Sequence, residues 1–241
     1  MIKVITLNLF FFKRQEIWFH QNEEINLVDQ NLFYQSKNKP LYYPSQEFQT
    51  LITLLTEDSS VLWKRISRTF QYHIRKAEKT NSVCWMDFSP NESRINDFIR
   101  THQQFSARKK LQSFSKSRLA ALLKSKNICF TGVDVMGKPV LYHCYLVNGN
   151  TARLLSSHDD GAIDSTLRGY LNKYLHWKDM LGFKELTYQD YDWGGISHDP
   201  EDGRRFFKES FGGSLHLYYN YQVQRNFYKV IKKGLTVFKR Q

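Results

Sequence analysis

Three short apolar segments follow one another in the middle of the chain and constrain its fold more than any other feature. They span residues 127–135, 139–146 and 151–157, and Asn148-Gly149 separates the last two. An Asn-Gly pair between two strand-like segments is a strong indicator of a β-hairpin. Three consecutive strands joined by tight turns form an antiparallel sheet, and its apolar side needs helices to cover it.

Helical and strand patterns surround these three segments. Gly182 is expected to end one of the helices as its C′ residue. Apolar residues at helical spacing predict helices over 45–57, 91–105, 117–124, 165–181 and 204–210, and a longer helix that follows the capping segment 58–60 and extends to Lys79. Further strands are predicted over 4–12, 16–19, 82–88, 185–189 and 215–223. This order predicts an α+β fold with a mixed, mostly antiparallel sheet flanked by helices.

Charge is distributed unevenly along the 241 residues, which carry a net charge of +12. Residues 81–150 and 225–241 each carry +6, whereas residues 151–224 carry −3. Such a distribution favours a polyanionic partner, either RNA, a nucleotide-sugar phosphate or an anionic membrane surface. The acidic segment is where we expect specific chemistry.

Two basic segments admit more than one interpretation. The helix that ends at Lys79 has an apolar face and a basic face, and the basic face suits either phosphate contact or simple solvation. Its basic residues are Lys64, Arg65, Arg68, Arg75, Lys76 and Lys79. The tail over 226–241 alternates apolar with basic residues, so it could lie on an anionic membrane or dock as a helix on the first sheet.

Several classes of protein and of site are excluded or disfavoured. No run of 18 apolar residues occurs, which excludes a transmembrane helix, and the N-terminus lacks the features of a signal peptide. Cys84, Cys129 and Cys144 lack metal-binding spacing and are interpreted as reduced core residues of a cytosolic protein. We predict no metal site, because no pair of histidines has metal spacing together with a third ligand.

The most specific pattern lies near the C-terminus. Residues 191–196 read Tyr-Asp-Trp-Gly-Gly-Ile, and residues 206–213 read Phe-Phe-Lys-Glu-Ser-Phe-Gly-Gly. The two motifs together resemble the C-terminal signature of the FemABX family, the non-ribosomal peptidyl (aminoacyl) transferases, which have a GNAT-like fold. Segments 74–79 and 175–183 agree with the same family, so the resemblance extends over roughly residues 60–222.

The resemblance implies an acyltransferase or aminoacyltransferase that forms an amide on an amino group of a cell-envelope glycan or peptidoglycan precursor. It implies no tightly bound cofactor, with acyl-CoA or aminoacyl-tRNA as co-substrate. The implied partners are a glycan, a lipid-linked or nucleotide-sugar precursor, tRNA, and an anionic membrane on its cytoplasmic face. One expected part is missing, since residues 158–162 (His-Asp-Asp-Gly-Ala) replace the loop that cradles coenzyme A pyrophosphate, and two carboxylates repel such a group.

The resemblance divides the chain into three predicted parts. Residues 1–80 form a reduced N-terminal α/β portion with the basic helix, residues 81–224 form the GNAT-like transferase domain, and residues 225–241 form the basic amphipathic tail. Full members of the family carry two such domains, whereas this chain has length for one and part of another. The helical arm linked to tRNA handling in some members is also absent.

Three residues are predicted to be catalytic. By resemblance, Lys208 is the lysine that stabilises the tetrahedral oxyanion, and a positive charge in a dry pocket suits that role. Asp192 orients an amine or a sugar hydroxyl, or else stabilises its own turn. His158 acts as a general base or an anchor for the acceptor amine, or else belongs to a solvated helix-capping loop.

Seven further residues are predicted to bind substrate. The glycines allow the backbone to approach a ligand closely, and the arginines are candidates for clamping phosphates. The set is Phe207, Trp193, Gly194, Gly195, Arg75, Arg204 and Arg205. Two alternative functions remain open at this stage: an RNA-binding module that uses the basic helix and residues 107–118, and a non-catalytic GNAT-like scaffold at the membrane.

Overall fold

One ten-stranded sheet runs through the protein, as seen in a computed structural model that describes residues 3–9, 12–21 and 24–224. The strands are β1 (Lys3–Leu9), β2 (Phe12–Trp18), β3 (Gln30–Ser36), β4 (Ser45–Leu54), β5 (Ser82–Asp87), β6 (Ile128–Val135), β7 (Lys138–Val147), β8 (Thr151–Asp159), β9 (Asp190–Asp192) and β10 (Ser214–Gln224). The helices are α1 (Ser59–Arg65), α2 (Arg68–Glu78), α3 (Glu92–Lys109), α4 (Lys116–Lys124), α5 (Ser165–Glu185) and α6 (Gly203–Glu209).

The strand order is β1-β2-β3-β10-β4-β9-β8-β7-β6-β5. Neighbouring strands are antiparallel except for two parallel pairs, β2 with β3 and β8 with β9. The predicted hairpins β6–β7 and β7–β8 are present, and Asn148 closes the second by accepting the backbone N–H of Thr151 at 2.7 Å. The predicted α+β fold with a mixed, mostly antiparallel sheet is therefore confirmed.

Helices cover both faces of the sheet, and alternation along β7 separates the two layers. Tyr145 packs into the core that α1, α2 and α5 build, with Phe183 on α5 as one of its neighbours. Tyr142 points the other way, into the core that α3 and α4 build around Phe98. We call these layers the α5 face and the α3 face.

The helix predicted over residues 45–57 is wrong, because this segment forms β4. β4 lies inside the sheet, between β10 and β9, and both of its faces are covered over Thr50–Thr53. A strand that is buried on both sides lacks the alternation of polar and apolar residues that identifies a half-buried strand. Its apolar residues therefore fell by chance at helical spacing.

The long helix predicted to end at Lys79 is in fact two helices. Ile66 adopts an extended backbone (φ −66°, ψ 133°), and Ser67 caps α2 by accepting the N–H of Phe70 at 3.4 Å. The side chain of Gln71 bridges the break by donating to the carbonyls of Trp63 and Ile66. A capping serine offers the backbone an alternative to helix continuation, and this competition breaks the predicted helix.

The predicted end of α5 and the strand that was expected after it are also wrong. α5 continues past Gly182 to Glu185, and the next strand, β9, is Asp190–Asp192 instead of 185–189. Gly182 allows α5 to pack closely on β5, since a Cβ there would lie 2.9 Å from Cε of Met86. The glycine thus marks a close contact between helix and sheet.

The sheet is continuous across residue 80, so strands from both predicted portions hydrogen-bond to each other. The division at residue 80 stays a prediction. The basic tail over 225–241 lies outside the described residues. Within the described ranges, no helix combines the length and hydropathy that are needed to cross a bilayer.

Candidate active site

A glycine turn follows β9 and forms the centre of the candidate site. Gly194 and Gly195 both have left-handed φ angles, +73° and +99°. A Cβ on Gly194 would lie 2.0 Å from the carbonyl oxygen of Leu154 on β8, and one on Gly195 would lie 3.0 Å from the ring of Phe48. The turn can therefore be built only from glycines, because both the backbone conformation and the space exclude a side chain.

Lys208 on α6 reaches this turn with its ammonium group. Its Nζ donates to the carbonyl of Trp193 at 2.8 Å and also to the carbonyl of Gly195. Burial lowers the pKa of Lys208 to about 8, and the negative charge of Asp192 opposes that shift. An ammonium has three N–H donors, so one donor remains after these two hydrogen bonds.

Asp192 is buried beneath the turn, and its carboxylate is saturated with hydrogen bonds. Thr50 donates to one oxygen at 2.5 Å and Gln35 to the other at 2.6 Å, while the N–H of Gly194 donates at 2.8 Å. Thr50 also accepts the N–H of Gly195 at 3.1 Å. The carboxylate thus holds the turn that holds Lys208, which makes Asp192 a positioning residue.

A buried arginine balances the negative charge of the Asp192 carboxylate. Arg153 on β8 donates through Nε to Gln35, which in turn donates to Asp192. Its guanidinium also lies 4.6 Å from the ring centroid of Trp18. Burial lowers the pKa of Arg153, and the charge of Asp192 is the largest influence that opposes this shift.

An aromatic cluster on the α5 face adjoins Lys208. Trp193 is completely buried, and its indole donates to Thr53. Phe207 packs at the edge of the cluster, and the ammonium of Lys173 lies 5.7 Å from its ring centroid. Burial lowers the pKa of Lys173. Phe207 is partly buried at the edge of this cluster, whereas Trp193 lies in its interior.

The predicted arginines lie apart from this centre. Arg204 is exposed and forms an ion pair with Asp202 at 2.6 Å, and Arg205 pairs with Glu209 at 2.8 Å. Arg75 lies on α2, with its guanidinium 5.5 Å from the ring centroid of Trp63. All three carry positive charge on the side of the sheet where α2 and α6 lie.

The structure does not bring His158 to the glycine turn. Its side chain lies on the α3 face, where Nε2 is 3.1 Å from the hydroxyl of Thr101 and the ring stacks on Tyr142. Burial lowers the pKa of His158 to about 3, which keeps the imidazole neutral. Among the predicted residues, the structure brings together Asp192, Trp193, Gly194, Gly195, Phe207 and Lys208.

A buried polar network supports β9 from the α5 face. The hydroxyls of Tyr191 and Tyr145 are 2.6 Å apart, and Tyr145 donates to Asp179 at 2.6 Å. His176 and His143 extend the network at its two ends, each through a 2.7 Å contact. His143, His176 and Asp179 are near enough to one another to form a metal-ligand set, yet this network already engages each of them in hydrogen bonds.

Sequence reasoning missed Gln35, Thr50, Arg153 and Lys173. Arg153 left a trace, because it is a charged residue inside an otherwise apolar strand segment. Gln35 and Thr50 left none, since Thr50 approaches Asp192 through the pairing of β4 with β9, and Gln35 through the strand order β3-β10-β4-β9.

Comparison with solved structures shows where this architecture occurs. FemX matches with a TM-score of 0.60 over 83% of this chain and 68% of its own chain, at 12% sequence identity. This chain has the fold of FemX. The predicted resemblance to the FemABX family is thus confirmed for the fold.

Two further structures share the FemX fold. L-PGS from Bacillus licheniformis matches with a TM-score of 0.59 over 88% of this chain and 77% of its own, at 12% identity. The C-terminal domain (DUF2156) of a protein assigned as a lysylphosphatidylglycerol synthetase from Agrobacterium fabrum gives 0.58 over 93% and 82%, at 11% identity. No protein-family model and no curated protein sequence matches the chain.

The glycine turn allows a direct stability test. We expect Gly194→Ala to reduce the free energy of unfolding by at least about 2 kcal/mol more than Gly137→Ala, as measured by urea denaturation. Gly137 is the matched control because its φ of +74° is almost the same and no atom lies within 4 Å of its Cβ position. The control should lose only about 1–2 kcal/mol of unfolding free energy, the cost of a side chain on a backbone in the left-handed conformation. Equal losses would contradict the close approach to Leu154.

Proposed function

We propose that the protein is an acyltransferase or aminoacyltransferase that forms an amide on an amino group of a cell-envelope glycan or peptidoglycan precursor. The observation that carries this proposal is the Lys208 ammonium, which the carbonyls of Trp193 and Gly195 fix with one N–H donor still free. A fixed donor in a partly dehydrated site stabilises negative charge that develops in a transition state. The FemX fold supports the same class of reaction.

In the proposed reaction, an amine attacks the carbonyl carbon of an activated acyl ester or thioester. The new N–C bond forms while the carbonyl electrons move to oxygen, and Lys208 donates its free N–H to that oxyanion. Collapse breaks the C–O or C–S bond, and the leaving group takes the proton that the amine loses. Lys208 is the catalytic residue, and Asp192 acts through the turn.

The turn between β8 and α5 bears on the acyl donor. Asp164 uses its carboxylate to accept the N–H groups of Thr166 and Leu167, and Asp160 accepts that of Ala162. These are the backbone donors that would otherwise face a pyrophosphate. The arrangement favours aminoacyl-tRNA over acyl-CoA as co-substrate in our proposal. Mass spectrometry of acceptors incubated with each donor separately tests this preference.

Phe207, with the arginines of α6 and α2, forms the proposed acceptor side of the site. Arg204, Arg205 and Arg75 offer guanidinium donors there, which suit the phosphate of a lipid-linked or nucleotide-sugar precursor. We propose that Trp193, Gly194 and Gly195 contribute to substrate binding through their backbone groups.

Removal of the Lys208 ammonium should abolish most of the activity. We expect Lys208→Met to lower kcat by about 10²–10³-fold, the usual effect of deleting one oxyanion donor, with little change in acceptor affinity. Lys184→Met is the matched control, because the Lys184 ammonium also donates to a backbone carbonyl, that of Leu55, at 2.9 Å. Turnover that survives in Lys208→Met, or is lost equally in Lys184→Met, would refute the assigned role.

The pH dependence follows from the same lysine. The protonated form of Lys208 is the active one, so kcat/KM should fall as the pH rises through its pKa of about 8. Lys208→Arg stays charged at every accessible pH, and its falling limb should move to higher pH even if its rate is lower. A limb that stays at the same pH in this variant would assign the titration to another group.

Peripheral contact with an anionic membrane forms part of the proposal, and an exposed loop supports it. Leu41 and Tyr42 are each 89% exposed at the tip between β3 and β4, and Lys37 and Lys39 flank them. Leucine and tyrosine side chains next to lysines suit the boundary between headgroups and acyl chains. The name lysylphosphatidylglycerol synthetase, given to one protein of the same fold, points to a lipid as well.

Vesicle co-sedimentation tests this contact. We expect the double variant Leu41→Ser/Tyr42→Ser to bind phosphatidylglycerol-containing vesicles at least about tenfold more weakly, because the buried apolar area is lost. Met136→Ser is the control, since Met136 is 84% exposed at the tip of another hairpin. Unchanged binding of the double variant would exclude this loop as the membrane contact.

A further inference from the structure

A cavity of about 620 Å³ opens on the α3 face, away from Lys208. β2, β3 and β8 form its floor, and the end of α3, the start of α4 and the connecting residues 111–115 form its wall. A cavity of this size is within the range of small-molecule sites. The proposed reaction so far uses none of these residues.

The charged side chains of the cavity leave one positive charge unpaired. Glu16 is almost completely buried, and both of its oxygens accept from Arg118, at 2.8 and 3.0 Å. Arg14 also lines the cavity, and no ion pair of the described residues includes it. A net positive cavity favours an anion.

Two buried polar atoms of the lining have no partner within the part of the chain that the structure describes. They are Nε of Arg14 and the hydroxyl of Ser156. Burial of a polar group without a hydrogen bond is costly, and such atoms are uncommon in folded proteins. Both atoms are hydrogen-bond donors in residues that line the cavity, which favours a ligand rich in acceptor oxygens.

A β-bulge brings Ser156 to this position. Leu154 pairs with Tyr145 and Ser156 with the preceding residue, Cys144, so Leu155 is an extra residue in β8. Bulges of this kind redirect side chains and occur often beside functional sites. The N-terminus of α4, capped by Ser115 and without an acid in its first turn, also borders the cavity and adds partial positive charge.

We infer that this cavity binds the phosphate or diphosphate group of a phosphorylated ligand through Arg14, Arg118 and Ser156. A phosphate offers several acceptor oxygens to the guanidinium and hydroxyl donors, and arginine is especially suited to it. The charge pairing between Arg118 and Glu16 holds the site in shape, and Arg14 provides the unpaired charge.

Direct contacts connect the cavity with the glycine turn. Tyr34, which lines the cavity, stacks on Trp18 at 4.4 Å between ring centroids, and Trp18 contacts Arg153. Arg153 then reaches Asp192 through Gln35. These contacts connect the cavity with Asp192. A role of the ligand as a substrate rests on the proposed function, whereas its binding does not.

Isothermal titration calorimetry with sodium pyrophosphate and with inorganic phosphate tests the inference. We expect the unmodified protein to bind pyrophosphate, and Arg14→Gln to weaken the affinity about 10–100-fold by loss of charge-assisted hydrogen bonds. Arg100→Gln is the matched control, because Arg100 is exposed on α3, pairs with Asp97 and does not line the cavity. Absence of binding, or equal weakening in the control, would overturn the inference.

Ser156→Ala separates a ligand-binding role from a structural one. Removal of an unpartnered buried hydroxyl should leave the melting temperature unchanged or raise it, while the affinity for pyrophosphate falls several-fold. A fall in melting temperature with unchanged affinity would assign the hydroxyl to structure and count against the site. Because the readout is binding, absence of acyl transfer would refute the proposed function and leave this result intact.

The source of the phosphate is distinguished by a second measurement. Phosphatidylglycerol vesicles present the group on a lipid headgroup, so vesicle binding that pyrophosphate displaces and Arg14→Gln reduces identifies a lipid ligand. Pyrophosphate binding without such vesicle dependence identifies a phosphorylated ligand in free solution. Both results support a phosphate site, and pyrophosphate that neither binds nor displaces the vesicles would overturn it.

Discussion

The buried carboxylate of Asp192 is the interaction on which the rest of the site depends. It joins Gln35 of β3, Thr50 of β4 and the N–H of Gly194, three segments that are far apart in the chain. A buried charge is stable only when it is paired and hydrogen-bonded, so these segments must meet correctly before the turn can form. Asp192 therefore couples the N-terminal strands to the half of the chain that carries Lys208.

The two proposed sites lie on opposite faces of one sheet. On the α5 side, we propose that Lys208, which the carbonyls of Trp193 and Gly195 hold, stabilises developing negative charge. On the α3 side, the cavity with Arg14 and Ser156 keeps donors free for an anion. Arg153 contacts Trp18 of the α3 face and reaches Asp192 through Gln35. Chemistry and anchoring can thus be altered separately by substitution.

Local patterns predicted much of the fold correctly. The hairpins of β6 to β8 followed from turn residues and apolar segments, and α4 and β5 were predicted to within one residue of their bounds. The failures share a physical cause, which is that burial or capping overrode the local pattern. β4 is covered on both faces, Ser67 interrupts the predicted helix, and Gly182 packs against Met86. The contacts of β4 and Gly182 involve residues distant in sequence, whereas the Ser67 cap is local but opposes the apolar pattern of the helix.

The amino-acid sequence alone determined the α+β class and the glycine turn through local spacing, and the choice of Lys208 as the residue to test through the resemblance of its motif to the FemABX family. Only the tertiary structure decided which residues of the chain contact one another in these sites. It assigned Asp192 to hold the turn, moved His158 to the α3 face, and joined Arg14, Arg118 and Ser156 in one cavity. Those residues lie on strands and helices distant in the chain, and it is strand order, not spacing, that brings them together.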